Sequence, residues 1–425
     1  MIKSILKQIN SYGRESFFVV STNIIQVAEK IIILVIVSSA LSIGDFGIYG
    51  LALTVQTFFN QFLFVPFSNG FFRFLPISIS FNQKFNFYAS SFRVWLSLSS
   101  ITILIFLLVC LIAIFTSKSE WLFILLLILF YTLISSFIEL IIMNYKALRN
   151  HQETLKIRLL DIALKIILIV IIGINRIEDI FIILVLSSFL VFIYNFKFLK
   201  YFSIFRHTLR NKYWIKKVLH FSRFFYIWGV FIWVQNNSSK WIIEILDTNE
   251  NLGLFNGLYQ ITYTPIILIG STFLAFILPI INQKIKITGY SDFNLHSFLN
   301  KSIAAALVLL CLIITAVSLF DKTIVLLILG EKFIDISDLM VLSIIASFFY
   351  SLHNICAYFI YSMLSPKKML LINILVPILT VIISIPLIYF YSIKGAIYAL
   401  LISNLVLFLI TYMKTISTLR TKNYI

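Results

Sequence analysis

Asp45-Phe46-Gly47-Ile48-Tyr49 and, 206 residues later, Asn251-Leu252-Gly253-Leu254-Phe255 are two versions of one pattern, a polar residue followed by a glycine between large apolar side chains. A second echo follows in each half, where Phe74-Leu75-Pro76-Ile77 is answered by Ile277-Leu278-Pro279-Ile280 at an offset of 203. The echoes fall at corresponding ends of corresponding apolar stretches. The chain therefore reads as one unit used twice.

Around these motifs, hydropathy with turn and charge punctuation predicts spans near 16–41, 46–70, 90–116, 121–143, 157–175 and 179–199, then 219–245, 252–281, 298–320, 336–363, 369–391 and 395–413. Each is close to the roughly 20 apolar residues that cross a bilayer. The expected fold class is an all-α polytopic membrane protein with twelve transmembrane helices in two six-helix lobes. Six spans per lobe leave both copies in the same orientation, a parallel repeat about an axis along the membrane normal. The expected organisation is an N-terminal lobe at 1–199, a basic connection at 200–218 and a C-terminal lobe at 219–425.

Composition excludes the alternatives. At 425 residues, 60% hydrophobic and 12% charged, with mean hydropathy +1.01, the chain is too apolar for a soluble globule. The predicted spans leave only short connections, so no separate catalytic domain fits. A net charge of +17 would suggest nucleic acid in a soluble protein, but here the distribution of the charges decides. Of the 34 Lys and Arg, Lys118, Arg176, Lys240, Lys322, Lys332 and Lys394 lie on one side, Lys30 and Lys165 lie within spans, and the remaining 26 share the side of the N-terminus. By the positive-inside rule both termini are expected in the cytoplasm. The connection at 200–218, with Arg206, Arg210, Lys212, Lys216 and Lys217, reads either as a patch for anionic lipid headgroups or as a topology anchor alone.

Cys110, Cys311 and Cys356 each sit in an apolar run without metal-ligand spacing, and read as buried small hydrophobes. The stretch Ile31–Val37 followed by Ser38-Ser39-Ala40 resembles a signal-peptide core, but Glu29-Lys30 before it points to a retained first helix.

Polar groups inside the spans carry the functional reading, because a charge at bilayer centre costs at least ~2.5–3.5 kcal/mol and needs a partner, water or a task. Asn23, Gln26 and Lys30 share one helical face, with Glu29 beside them as counter-charge or proton carrier. Asp161 and Lys165 stand four residues apart, with Arg158 one turn before. This spacing suits an intrahelical pair, or leaves Lys165 to bind substrate if Arg158 takes Asp161. Glu139 lies near a helix end, where a long side chain reaches water. Gln56 and Asn60 make a stripe in the second span, with Arg73 near its inner end, while the seventh carries Arg223 and the run Gln235, Asn236, Asn237, Ser238, Ser239, Lys240. Asn256, Gln260 and Thr264 repeat the device. Amides suit sugar hydroxyls and isolated cations suit a phosphate. The other reading makes the amides interhelical glue and Arg73 and Arg223 topology anchors. His353, alone in its span, reads as a hydrogen-bonded packing residue. No Walker loop, HExxH or paired-aspartate nucleotide-sugar motif occurs, so neither an enzyme nor a cofactor is expected.

Taken with Gly70-Phe71-Phe72-Arg73-Phe74-Leu75-Pro76, Gly330-Glu331-Lys332-Phe333 and Gly395-Ala396-Ile397-Tyr398-Ala399, the opening motifs resemble, in order and spacing, the polysaccharide-transport branch of the multidrug/oligosaccharidyl-lipid/polysaccharide (MOP) exporter superfamily. In character the chain is similar to the O-antigen flippases. The resemblance implies a carrier that moves an undecaprenyl-diphosphate-linked oligosaccharide across the bacterial inner membrane by alternating access, in lipopolysaccharide biosynthesis and alongside other polysaccharide-assembly proteins. The twelve expected spans are two fewer than in the superfamily's lipid II flippases, and Ser239-Lys240 stands where relatives often have Asp-Arg. On this reading Lys30, Arg73, Arg223, Lys240 and Lys165 attract the diphosphate or acidic sugars. Asn23, Gln26, Gln56, Asn60, Gln235 and Asn236 bind the glycan, and Glu29 and Asp161 couple an ion. A cation-coupled multidrug exporter of the same fold, and a membrane-embedded glycan polymerase, are the competing expectations.

Overall fold

The computed structural model describes residues 2–115, 121–196, 212–274, 277, 295–362 and 367–422. Every element among them is helical. We number these α1 (Ile2–Ala40), α2 (Ile43–Ser80), α3 (Lys84–Phe115), α4 (Trp121–Ala147), α5 (His151–Ile172), α6 (Ile177–Tyr194), α7 (Lys212–Leu246), α8 (Asn249–Leu274), α9 (Leu295–Ile328), α10 (Met340–Ser362) and α11 (Ile372–Lys422). Helix α11 is broken at Ser392, whose φ of 51° no regular helix adopts. Nine helical segments among the described residues are long and apolar enough to cross a membrane, as expected of a multi-pass membrane protein. Helices α5 and α7 fall outside that set. The first carries Arg158, Asp161 and Lys165 and the second the polar run from Gln235 to Lys240.

Both α2 and α8 contain a π-helical turn, Asn60–Phe64 and Tyr259–Tyr263. Each turn ends two residues before a proline, Pro66 and Pro265. Proline has no N–H to offer the carbonyl four residues back, and its ring crowds that carbonyl, so the preceding turn widens.

By packing, the chain divides into two compact units, Met1–Lys30 with Leu51–Trp233, and Ile31–Gly50 with Val234–Ile425. In the first unit α4 packs on α3, α5, α6 and the second half of α2. Phe71, Phe87 and Trp214 form its aromatic centre, with Phe87 between the other two at ring distances of 5.3 and 5.4 Å. Tyr88 donates to Asn144 at 2.5 Å and Trp214 to Gln83 at 2.9 Å, which satisfies the polar ends of these two buried rings. The N-terminal half of α7 lies directly on α2. Ser222 donates to Pro66 O at 2.7 Å, Trp233 donates to Thr54 O at 2.7 Å, and a Cβ on Gly229 would stand 2.0 Å from Gln61 O.

In the second unit α10 runs along α11 and α9 around Leu299, Ile344, Leu352, Ile355 and Phe359. The motifs at Asp45, Asn251, Gly330 and Gly395 gather at one end of this unit, whereas Gly70–Pro76 belongs to the first. Gly47 crosses Gly253 backbone to backbone. Gly330 takes a φ of +91°, a region that favours glycine, and turns the chain so that Phe333 packs on Phe46 at 5.4 Å. Lys332 donates to Leu41 O and, at 3.4 Å, to Ser39 O at the end of α1, where a cation is favoured. Gly395 lets the chain pass Leu387 O, where a Cβ would be 1.9 Å away. Asp247 accepts from Ser392 and, at 2.7 Å, from Asn251. These motifs are thus packing devices in this chain.

Two expectations fall on residues outside the description: most of the basic connection at 200–218, and Leu278-Pro279-Ile280 of the second echo. One is corrected. Cys356 is buried, but Cys110 is half-buried and Cys311 is exposed, on an apolar face of α9 that also presents Val308, Leu312 and Leu319.

Candidate functional site

The first unit holds a charge cluster built from three helices. Lys165 of α5, with its side chain 7% exposed, donates to Glu29 Oε1 of α1 at 2.5 Å and to Asp161 Oδ2 of its own helix at 2.8 Å. Asp161 Oδ1 is buried without a hydrogen-bond partner. One turn towards the start of α5, Arg158 is paired with Glu139 of α4. With its carbonyl oxygen turned towards the guanidinium, Gln26 of α1 accepts from Arg158 Nε at 2.9 Å and Nη2 at 3.2 Å. Tyr131 of α4 lies within electrostatic reach of Lys165 and Asp161, and Lys30 within reach of Glu29 and Arg158. Three carboxylates face buried Lys165 and half-buried Arg158 here, and exposed Lys30 balances the charge. Close pairing is what makes charges tolerable at this depth.

The expected stripe on α1 is therefore real but differently partnered. Glu29 is bonded to Lys165 rather than to Lys30, and Arg158 takes Glu139, which leaves Asp161 to Lys165. Glu139, with its side chain 40% exposed, joins the cluster through its pair with Arg158. Its pairing was legible in hairpin arithmetic. Helices α4 and α5 are joined by a short turn between Ala147 and His151. Glu139 and Arg158 lie about equally far from that turn, which at ~1.5 Å per residue puts them at one height. That Lys165 meets Glu29 had no such signal, because it depends on which helix stands beside α5.

The other candidates of this unit stand apart from these ion pairs. Gln56 is buried, Asn60 opens the π-turn of α2, and Asn23 is half-buried. Arg73 and Arg223 are exposed, with guanidinium groups over Phe221 and Phe224 at 4.8 and 4.6 Å.

In the second unit, Lys240 is buried, 6% exposed, and donates to Asn256 Oδ1 at 2.9 Å with its ammonium 4.7 Å from the ring centre of Tyr259. Asn256 in turn donates to Phe46 O at 3.3 Å and occupies the space left by Gly50. No carboxylate pairs with Lys240 among the described residues. Ser238 Oγ, Ser239 Oγ and Asn236 Oδ1 on the same helix are buried with no hydrogen-bond partner. Gln235, by contrast, is fully used. Its amide donates to Asn404 at 2.8 Å and accepts from Thr380 at 2.7 Å, while Asn404 donates to Tyr263 and to Ala346 O at 3.1 and 3.0 Å. Gln235 thus joins helices through both ends of its amide. His353 hydrogen-bonds Thr411 at 2.8 Å, the packing role expected of it.

No family model matches the chain, and no curated protein matches it. Solved structures do. An inward-facing multidrug resistance MATE family transporter of the MOP superfamily superposes with a TM-score of 0.72 at 15% identity, covering 94% of this chain and 95% of that one. The Vibrio cholerae MATE transporter VcmN gives 0.65 at 12%, covering 99% and 98%. The lipid II flippase MurJ in an inward closed conformation gives 0.64 at 15%, covering 94% and 86%. At these identities the likeness establishes the fold that the MATE transporters and MurJ share.

Proposed function

We propose that the chain is a flippase that carries an undecaprenyl-diphosphate-linked oligosaccharide, such as an O-antigen repeat unit, across a bacterial inner membrane by alternating access. Twelve spans in two six-helix halves, with both termini in the cytoplasm, are the topology we assign to it. The reciprocal glycine crossing and the matched π-turns of α2 and α8 support the repeat, and the fold shared with a lipid-linked flippase supports the class of cargo. Lys240 carries the reading: a buried ammonium with no carboxylate partner among the described residues and unsatisfied hydroxyls on its own helix suits an anionic cargo. Exposed Lys30, Arg73 and Arg223 add cations for a diphosphate or acidic sugar.

The second reading, a cation-coupled multidrug exporter, draws on the MATE structures. A cationic drug needs a carboxylate with charge to spare, whereas Glu29, Asp161 and Glu139 are bonded to Lys165 and Arg158. Reconstitution separates the two. Proteoliposomes holding the protein and a lipid-linked oligosaccharide should expose the glycan of the inner leaflet to an added impermeant glycosidase. Protection of that glycan, together with drug efflux from the same vesicles, would replace the flippase reading with the exporter.

A further inference from the structure

The Glu29–Lys165–Asp161 bridge has the ligand arrangement of a monovalent cation site, and the cation in it belongs to the protein. Two carboxylate oxygens from different helices converge on one nitrogen at 2.5 and 2.8 Å, and each side chain that provides one is 13% exposed. A further oxygen of the same set, Asp161 Oδ1, is buried and makes no hydrogen bond. Without the ammonium, the two carboxylates would face each other across its vacated place in a poorly hydrated setting. Like charges so placed bind a cation or take up a proton.

We propose that Lys165 is the resident cation of this site, so that the protein needs no free sodium ion there, and that removing its ammonium converts the site into one that binds sodium. The inference rests on the reading of the chain as a transporter and concerns what drives it. A metal ion ligated by these carboxylates would have to displace a tethered ammonium already held by both. The tether gives that ammonium an effective concentration no dissolved ion matches. The groups around it are Glu29 and Lys30 from α1, Tyr131 and Glu139 from α4, and Arg158 and Asp161 from α5. Arg158 is already paired with Glu139, and Lys30, exposed and within electrostatic reach of Glu29, stands outside the two-carboxylate bridge.

The test uses purified full-length protein in detergent, with radioactive sodium as the only probe and N-methyl-D-glucamine chloride as the balancing salt. Lys165→Ala should bind sodium one-to-one above the wild-type level and gain a saturable rise in Tm in sodium chloride. Lys165→Ala combined with Asp161→Asn should lose both, and Lys165→Arg should behave like wild type. Sodium binding by Lys165→Ala no greater than by wild type overturns the proposal, as does aggregation of that variant in both salts alike. A wild-type sodium site abolished by Asp161→Asn overturns it too. No substrate enters this assay, so its failure leaves the flippase reading to be decided by glycan translocation alone.

Discussion

Gly47 and Gly253, equivalent positions of the two echoed motifs, meet backbone to backbone. A Cβ on Gly47 would lie 2.7 Å from Asn249 O and from Gly253 N, and one on Gly253 would lie 1.9 Å from Ile43 O. Ile43 and Asn249 are themselves 206 residues apart, so each motif contacts the same point of the other. Such reciprocity is the mark of a two-fold relation. Three residues on it is broken, since Gly50 gives up its space to the amide of Asn256, which holds Lys240.

Gly253→Ala should therefore destabilise the protein by about 1–3 kcal/mol or more, as overpacking does. Thermal unfolding of the purified variant would show this as a clear fall in Tm. An unchanged Tm would mean that the helices do not cross at this point.

Arg158→Met should destabilise the protein by less than the ~3–5 kcal/mol of a fully buried pair, because Glu139, left without its partner, has a side chain 40% exposed. Adding Glu139→Gln should recover much of that loss. A double-mutant cycle on thermal stability checks the coupling, and additive effects would refute the pair.

Gly330→Ala should lower stability by roughly 1–2 kcal/mol, since an L side chain is strained at a φ of +91°. Open space surrounds the new methyl group, so the loss measures backbone strain. Gly330→Asn should restore none of it, since a ψ of 172° places the residue in an extended positive-φ region that essentially only glycine adopts.

Lys240→Met should fold at least as well as wild type, because it removes a buried charge that no carboxylate among the described residues pairs with. It should nevertheless lose glycan translocation in proteoliposomes. Lys240→Arg should keep part of the activity, since the charge survives but the fit to Asn256 changes. Full activity in Lys240→Met would remove this residue from the cargo site.

Much of the fold was legible in the sequence because bilayer crossing demands long apolar helices, and hydropathy registers that directly. The charges of α5 stood out for the same reason. Their partners did not, since Glu29 meets Lys165 only when α1 stands beside α5, and no local spacing encodes that. The amides of α7 were visible as polar but not as used or unused. Gln235 is fully bonded through Asn404 and Thr380, while its neighbours Ser238 and Ser239 keep unsatisfied hydroxyls. Only the packed structure separates glue from candidate ligand. The matched prolines were also legible. Pro66 and Pro265 stand 199 residues apart, against 206 for the glycines. The seven-residue difference is about two helical turns, so both devices stay on the same face of their helices.

The most direct test of the flippase reading is the lipid-linked glycan pool in cells that lack the protein. Undecaprenyl-diphosphate-linked oligosaccharide should accumulate on the cytoplasmic face of the inner membrane, surface polysaccharide should fall, and wild-type protein but not Lys240→Met should reverse both. Normal surface polysaccharide with no accumulated precursor would contradict it.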